Sequence, residues 1–261
     1  MVTKRNKKSR KTRKQRKRNY RKQKGGQQSC LINYYTISTD THEGLTRLEN
    51  SAKKNGFDLK VLGLEMKDSS YGWQTGNSNN KNYGEFSWKL KEQKKYVNTF
   101  DDTAILLFSD AWDVIVIGPC SELYTRYIAF NKDIVFGAEK ACSPDKDRVI
   151  EYNDDEKSKP FSYLNSGFFI GNARALKKHL NIFNDNEKDD QRFWTSIYFS
   201  NRDTIALDHN AQLVLNGFDT KNEYYTFDDT GKFIYTETNT SPLFIHGNGP
   251  AKDKLAFFID K

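Results

Sequence analysis

Apolar positions recur along this 261-residue chain in two rhythms, and the switching between them outlines a fold. Residues 31–38 are crowded with β-branched and aromatic side chains, the pattern of a strand. Leu45, Leu48 and Ala52 then fall at helical spacing. Asp40 and Glu43 ahead of them are spaced as a capping box, and Gly56 is placed to stop the helix. Residues 57–64 alternate and predict a second strand. A strand–helix–strand opening points to an α/β fold with a parallel sheet. A helix is expected over 86–96. Ala104-Ile105-Leu106-Leu107-Phe108 is then a continuous apolar run, as a central strand buried on both faces requires. Further strands are expected at 114–117, 134–136, 204–207, 233–236 and 243–245, and helices at 122–130, 173–183 and 190–199. Residues 65–85, rich in Gly, Asn and Ser, break both rhythms and predict a long surface loop of the kind that often serves as a lid or binding loop.

Charge divides the chain. The formal net charge is +8, but residues 1–24 hold eight Lys and six Arg and no acid. The other 28 basic groups face all 34 acidic ones, so the remainder carries −6. A basic total would suggest a nucleic-acid binder, yet that reading fits only the arm. Residues 1–28 have almost no apolar side chains and are expected to be a solvated tail, with residues 29–261 as one folded domain. The arm can neutralise phosphates, but Tyr20 is its one aromatic and offers no stacking platform. Nucleic acid is therefore expected as a partner only through the arm. The arm lacks the apolar region of a secretory signal, and no stretch approaches the roughly eighteen apolar residues of a membrane span. Cys30, Cys120 and Cys142, few and odd in number, fit a reducing compartment and no disulfide framework.

Candidate chemistry gathers where apolar strands end. Phe108-Ser109-Asp110-Ala111-Trp112-Asp113 runs a strand directly into two carboxylates. In open α/β sheets ligands bind at the carboxyl ends of strands, and two acids there repel unless a cation neutralises them. A turn cap at Asp110 with a solvated Asp113 is the plainer alternative. Leu243-Phe244-Ile245-His246-Gly247-Asn248-Gly249-Pro250 again ends a strand in a polar residue. Its glycines permit close approach to an anion and Lys252 adds charge beyond, although a lone His is more often structural. Asn165-Ser166-Gly167, flanked by apolar residues, suits an ordinary turn into a strand. Asp189-Asp190-Gln191 sits at a helix start, where acids are favoured by the dipole alone. Glu139 follows the apolar 134–138 segment.

The order of these pieces is more specific than any one of them. Thr36-Ile37-Ser38-Thr39, Val61-Leu62-Gly63-Leu64, Ser109-Asp110-Ala111-Trp112-Asp113, Phe136-Gly137-Ala138-Glu139, Leu164-Asn165-Ser166-Gly167, Asp189-Asp190-Gln191, Leu207-Asp208-His209 and His246-Gly247-Asn248-Gly249-Pro250 follow one another along the chain. Over roughly Leu31 to Phe258 this series resembles the glycosyltransferase domain of the multifunctional procollagen lysyl hydroxylases. The resemblance implies a GT-A fold in a free-standing version without the hydroxylase domain. Single-domain relatives of this kind occur in giant viruses, which implies a place in the host cytoplasm or the virion. It further implies glucosyl transfer from UDP-glucose to galactosyl-hydroxylysine of collagen-like protein, with galactosyl transfer to hydroxylysine as the alternative. On that resemblance Asp110, Asp113 and His246 hold Mn²⁺, Gly249 and Lys252 contact the diphosphate, Trp112 packs on uracil, and Thr36 and Ser38 line the nucleoside pocket. Asp189 and Asp190 are the essential acids near the donor sugar, Asn165 and Asn248 bond sugar or acceptor hydroxyls, and Glu139 is an acceptor-side carboxylate. Cys142-Ser143-Pro144 departs from the family's Cys-Trp-Pro run.

Overall fold

A computed structural model describes residues 31–66, 86–184 and 186–259. The basic arm, Cys30 and most of the 65–85 loop lie outside the described residues. The expected α/β class is present, with a mixed sheet. Six strands lie in the order β2-β1-β3-β6-β5-β7: β1 (Ile32–Ile37), β2 (Leu59–Leu62), β3 (Ile105–Ser109), β5 (Ile134–Glu139), β6 (Tyr163–Asn172) and β7 (Ile205–Asp208). β1 runs parallel to β2 and β3, and β5 parallel to β7, while β6 is antiparallel to both its neighbours. A second sheet of three short strands, β4 (Val114–Val116), β11 (Phe244–His246) and β8 (Val214–Asn216), lies at its side with β11 in the middle. β9 (Tyr225–Phe227) and β10 (Phe233–Tyr235) pair as a hairpin.

The principal helices are α1 (Glu43–Lys54), α2 (Ser87–Val97), α3 (Cys120–Ala129), α4 (Ala173–Leu180) and α5 (Asp190–Ser200). α1 buries Leu45, Leu48 and Ala52, the expected stripe, and Gly56 ends it at a φ of +78°, a conformation only glycine adopts without steric cost. The capping box is corrected. His42 is the N-cap, its Nδ1 accepting from the Leu45 N–H at 2.9 Å, while an Asp40 carboxylate oxygen accepts from the adjacent Thr41 N–H. Gly44 lets this helix meet the loop after β3, since a Cβ there would lie 2.1 Å from the Trp112 carbonyl oxygen.

β6 corrects a second expectation. Asn165-Ser166-Gly167 is not a turn before a strand but part of the ten-residue strand itself, beside a register shift at Phe136/Gly137 in β5. The trio stays extended because its polar atoms find partners across the sheet end. Alternation sends neighbouring side chains to opposite faces. Leu106 and Phe108 join Phe136, Phe169 and Trp194 in one core, with Phe108 and Phe169 stacked at 5.1 Å. Leu107 joins Phe168, Ile170 and Phe244 in the other. Cys120 is disulfide-bonded, which departs from the expectation of no disulfide framework, and Cys142 is free. Among the described residues no helix is long and apolar enough to cross a membrane.

Candidate functional site

The strand-end acids gather where β3 of the large sheet hands over to β4 of the small one. β3 delivers Asp110, whose N–H bonds the Gly167 carbonyl of β6 at 2.8 Å. Asp113 opens β4 and its carbonyl accepts from the Gly247 N–H at 2.7 Å, which pins the turn to the end of β11. His246 closes β11. Its Nε2 lies 3.3 Å from Asp113 Oδ1 and 3.8 Å from Asp110 Oδ2. One ligand atom from each of the three falls within 4.8 Å of the others. The imidazole is only 3% exposed, and its other nitrogen, Nδ1, bonds Asn216 Oδ1 at 2.8 Å. Asn216 donates from its own amide to the Ala138 carbonyl at 2.8 Å, which turns its oxygen toward the ring. Nδ1 is thus protonated and Nε2 is the nitrogen turned toward the two carboxylates, where a metal ion can take the place of a proton, the arrangement of an oriented metal-ligating histidine. Burial disfavours charge on His246, but Asp113 and Asp110 beside it lift its pKa above the ordinary imidazole value. Gly167 leaves the space: a Cβ would stand 2.3 Å from His246 Cε1 and 2.8 Å from Asp110 Oδ2.

Lys89 of α2 reaches into this site, its side chain 12% exposed. Nζ lies 2.9 Å from Asp110 Oδ1 and 2.8 Å from Asp190 Oδ2. Asp190, the first residue of α5, is 4% exposed and also accepts from Ser166 Oγ at 3.1 Å. One ammonium serving two acids splits their affinities. Burial works against the charge on both. The nearby Lys89 and His246 nevertheless hold Asp110 below the usual carboxylate range, while burial and the neighbouring Asp110 push Asp190 above it. Burial also disfavours the Lys89 ammonium, but its two acids hold its pKa above the ordinary value.

The remaining expected residues divide. Asp189 is the α5 N-cap, its Oδ1 accepting from the Arg192 N–H, the capping role its position favoured. Thr36 is fully buried and its hydroxyl donates to the Ser109 carbonyl at 2.7 Å, so it braces the strand that carries Asp110. Ser38 is buried, donating to the Asp40 carbonyl, with His42 Nε2 at 3.2 Å from its hydroxyl. Trp112 is half-buried, with the His42 ring 4.2 Å away and Lys252 Nζ 5.5 Å from its centroid. Gly249, at a φ of +59°, opens the 3₁₀ turn Gly249–Leu255 that carries Lys252. Glu139, 3% exposed, accepts from the amides of Asn165 (3.1 Å), Gln191 (2.9 Å) and Asn248 (2.8 Å), and burial raises its pKa. Asn165, Asn248 and Glu139 are therefore engaged with one another. Lys89 and Asn216 carried no mark in the sequence: one is a lysine in a lysine-rich helix, the other ends β8, a strand that was not expected.

The comparisons agree with the geometry. The model of the family described as the PLOD GT domain matches residues 28–260. The Caenorhabditis elegans multifunctional procollagen lysine hydroxylase and glycosyltransferase is 30% identical over 234 residues, which cover 85% of this chain and 31% of that protein. The Mus musculus procollagen-lysine,2-oxoglutarate 5-dioxygenase 2 is 32% identical over 234 residues, 85% of this chain and 30% of that one. The chain thus spans about a third of the length of these relatives. Among solved structures, a 4-diphosphocytidyl-2C-methyl-D-erythritol synthase from Anaerococcus prevotii overlaps at a TM-score of 0.35 and 11% identity, over 67% of this chain and 87% of that one. With a family match over nearly all of its length and an acid–acid–histidine group where its two sheets meet, the chain is a glycosyltransferase of the PLOD GT domain family.

Proposed function

We propose that the chain transfers glucose from UDP-glucose to galactosyl-hydroxylysine of collagen-like protein, with retention of configuration. The observation that carries the metal-dependent part is the Asp110, Asp113 and His246 group, with His246 Nε2 turned toward both acids by the bond from Nδ1 to Asn216. Two hard carboxylates and an imidazole are a donor set that suits Mn²⁺. Held by these three residues, the ion would neutralise charge on the departing diphosphate. Lys252 and the backbone around Gly249 follow β11 and would meet that diphosphate, and Trp112 would offer a flat face to uracil. Asp190, aligned by Lys89 and Ser166, stabilises positive character on the sugar as the bond to UDP breaks. The acceptor hydroxyl attacks from the face the UDP leaves, and a phosphate oxygen of UDP takes its proton. The Cys142-Ser143-Pro144 run offers no aromatic face to the acceptor, so recognition there relies on polar groups.

The test is UDP release from UDP-glucose and from UDP-galactose, side by side, with free galactosyl-hydroxylysine as acceptor, with and without Mn²⁺. Glucose transfer that requires Mn²⁺ and is lost in Asp110→Ala and Asp190→Ala is expected. Unchanged turnover in either variant refutes the role given to that acid. A preference for UDP-galactose refutes the choice of donor.

A further inference from the structure

Glu139 was expected on the acceptor side, but its surroundings describe a different task. It ends β5, is 3% exposed, and no Lys or Arg bonds its carboxylate among the described residues. Three N–H donors converge on it instead, each from a different element. Asn165 comes from β6, Gln191 from α5 and Asn248 from the chain just past β11. Each amide uses its oxygen to hold a piece of the site. Asn165 Oδ1 accepts from the Gly167 N–H at 3.0 Å, and Gly167 is the residue that leaves room for His246 and Asp110. Gln191 Oε1 accepts from the Ser166 N–H at 3.2 Å, and the Ser166 hydroxyl bonds Asp190. Asn248, two residues after His246, accepts from the Phe218 N–H at 3.0 Å. An amide can turn over by exchanging its oxygen and nitrogen. A carboxylate that only accepts fixes all three with nitrogen inward and oxygen outward.

We propose that Glu139 is a positioning residue: its carboxylate sets the orientation of three amides and through them the register of the metal ligands and the sugar-side acid. The proposal rests on the metal-site reading above. It separates Glu139 from acceptor recognition, because neither carboxylate oxygen faces an open cleft and both are already bonded. In Glu139→Gln the new amide nitrogen confronts the Asn248 Nδ2 donor, leaving two buried donors opposed. Adding Asn248→Asp repairs this. The amide nitrogen introduced at position 139 then donates to the new carboxylate at position 248, whose other oxygen still accepts from Phe218, and the total charge is unchanged.

The experiment measures Mn²⁺ affinity by paramagnetic resonance of the free ion, and UDP binding in saturating Mn²⁺ by calorimetry. It uses the full chain, as wild type, Glu139→Gln and Glu139→Gln/Asn248→Asp. Glu139→Gln is expected to weaken Mn²⁺ binding by about 10-fold or more, the size of effects on groups that orient metal ligands. The double variant is expected to recover most of the loss. Wild-type affinities in Glu139→Gln, with only the acceptor KM raised, overturn the proposal in favour of acceptor contact. A loss that Asn248→Asp does not repair also overturns it, since the defect is then not one of donors and acceptors. No Mn²⁺ uptake by the wild type overturns the metal-site reading itself, and with it the role of Glu139.

Discussion

Gly167→Ala tests the metal site through the space that the site needs. The added Cβ would lie 2.3 Å from His246 Cε1, 2.8 Å from Asp110 Oδ2 and 3.0 Å from Asn165 Oδ1, whereas ordinary contact begins at 3.4 Å. The imidazole must therefore retreat by about 1 Å or β6 must bow outward. Retreat is blocked, because Nδ1 is held by Asn216 and Asn216 by the Ala138 carbonyl. Overpacking of this kind costs about 1–3 kcal/mol of stability. A displaced His246 leaves two carboxylates without their nitrogen partner, and Mn²⁺ affinity should fall by about 10- to 100-fold. Gly171→Ala is the control. It lies in the same strand and is similarly crowded, with Ile134 Cγ1 at 2.9 Å and the Asp133 carbonyl oxygen at 3.0 Å, but it is at the far end of β6. The two variants are compared by thermal melting and by Mn²⁺ titration. Both should melt earlier and only Gly167→Ala should lose metal. Equal loss of metal affinity in the two, or wild-type affinity in Gly167→Ala, would refute the reasoning.

Three further outcomes are expected. Asn216→Leu removes the acceptor for His246 Nδ1 and should cost about 1–3 kcal/mol in denaturant unfolding together with weaker Mn²⁺ binding; an unchanged Mn²⁺ titration would deny the orienting role. Lys89→Met leaves Asp110 and Asp190 without their shared cation, so its melting temperature should fall further below wild type in metal-free buffer than in saturating Mn²⁺; the same shift in both would show that Lys89 and the metal do not serve the same charge. Burial pushes the Asp208 carboxyl up from 3.8 to about 6, although it accepts from the N–H groups of Gln212, Leu213 and Val214. The folded state therefore holds this proton more tightly than the unfolded one. The resulting stabilisation, about 3 kcal/mol, is full below pH 3.8 and lost as pH rises past about 6. In urea unfolding from pH 4 to pH 7, the stability of wild type relative to Asp208→Asn should decline as pH rises, and a flat difference would exclude the coupling.

Asp110, Asp113 and His246 were legible because each terminates or adjoins a short apolar run, and a strand end is where a sheet presents side chains to a ligand. Most strands and helices were legible for the related reason that their periodicity is local. Lys89 was not. α2 carries Lys89, Lys91, Lys94 and Lys95, and only the tertiary fold distinguishes the one that turns toward Asp110 from the others. Asn165-Ser166-Gly167 suggested a turn because these residues favour turns in isolation, and long-range partners at Glu139 and Gln191 overruled that preference. β8 and β9 were not expected, and it is pairing with β11 and with β10 that makes strands of them. The N-cap fell to His42 since its ring nitrogen reaches the Leu45 N–H.

Asp110 belongs to the end of the large sheet, whereas Asp113 and His246 belong to the small one. An ion held by all three would be a staple across a seam. The small sheet is made of three-residue strands and owes little to its own length, so its attachment would tighten on metal uptake and loosen on release. The turn that carries Gly249 and Lys252 hangs directly from β11. Filling the staple would therefore steady the segment meant to grip the diphosphate before any diphosphate arrives, which favours binding in the order metal first, nucleotide second.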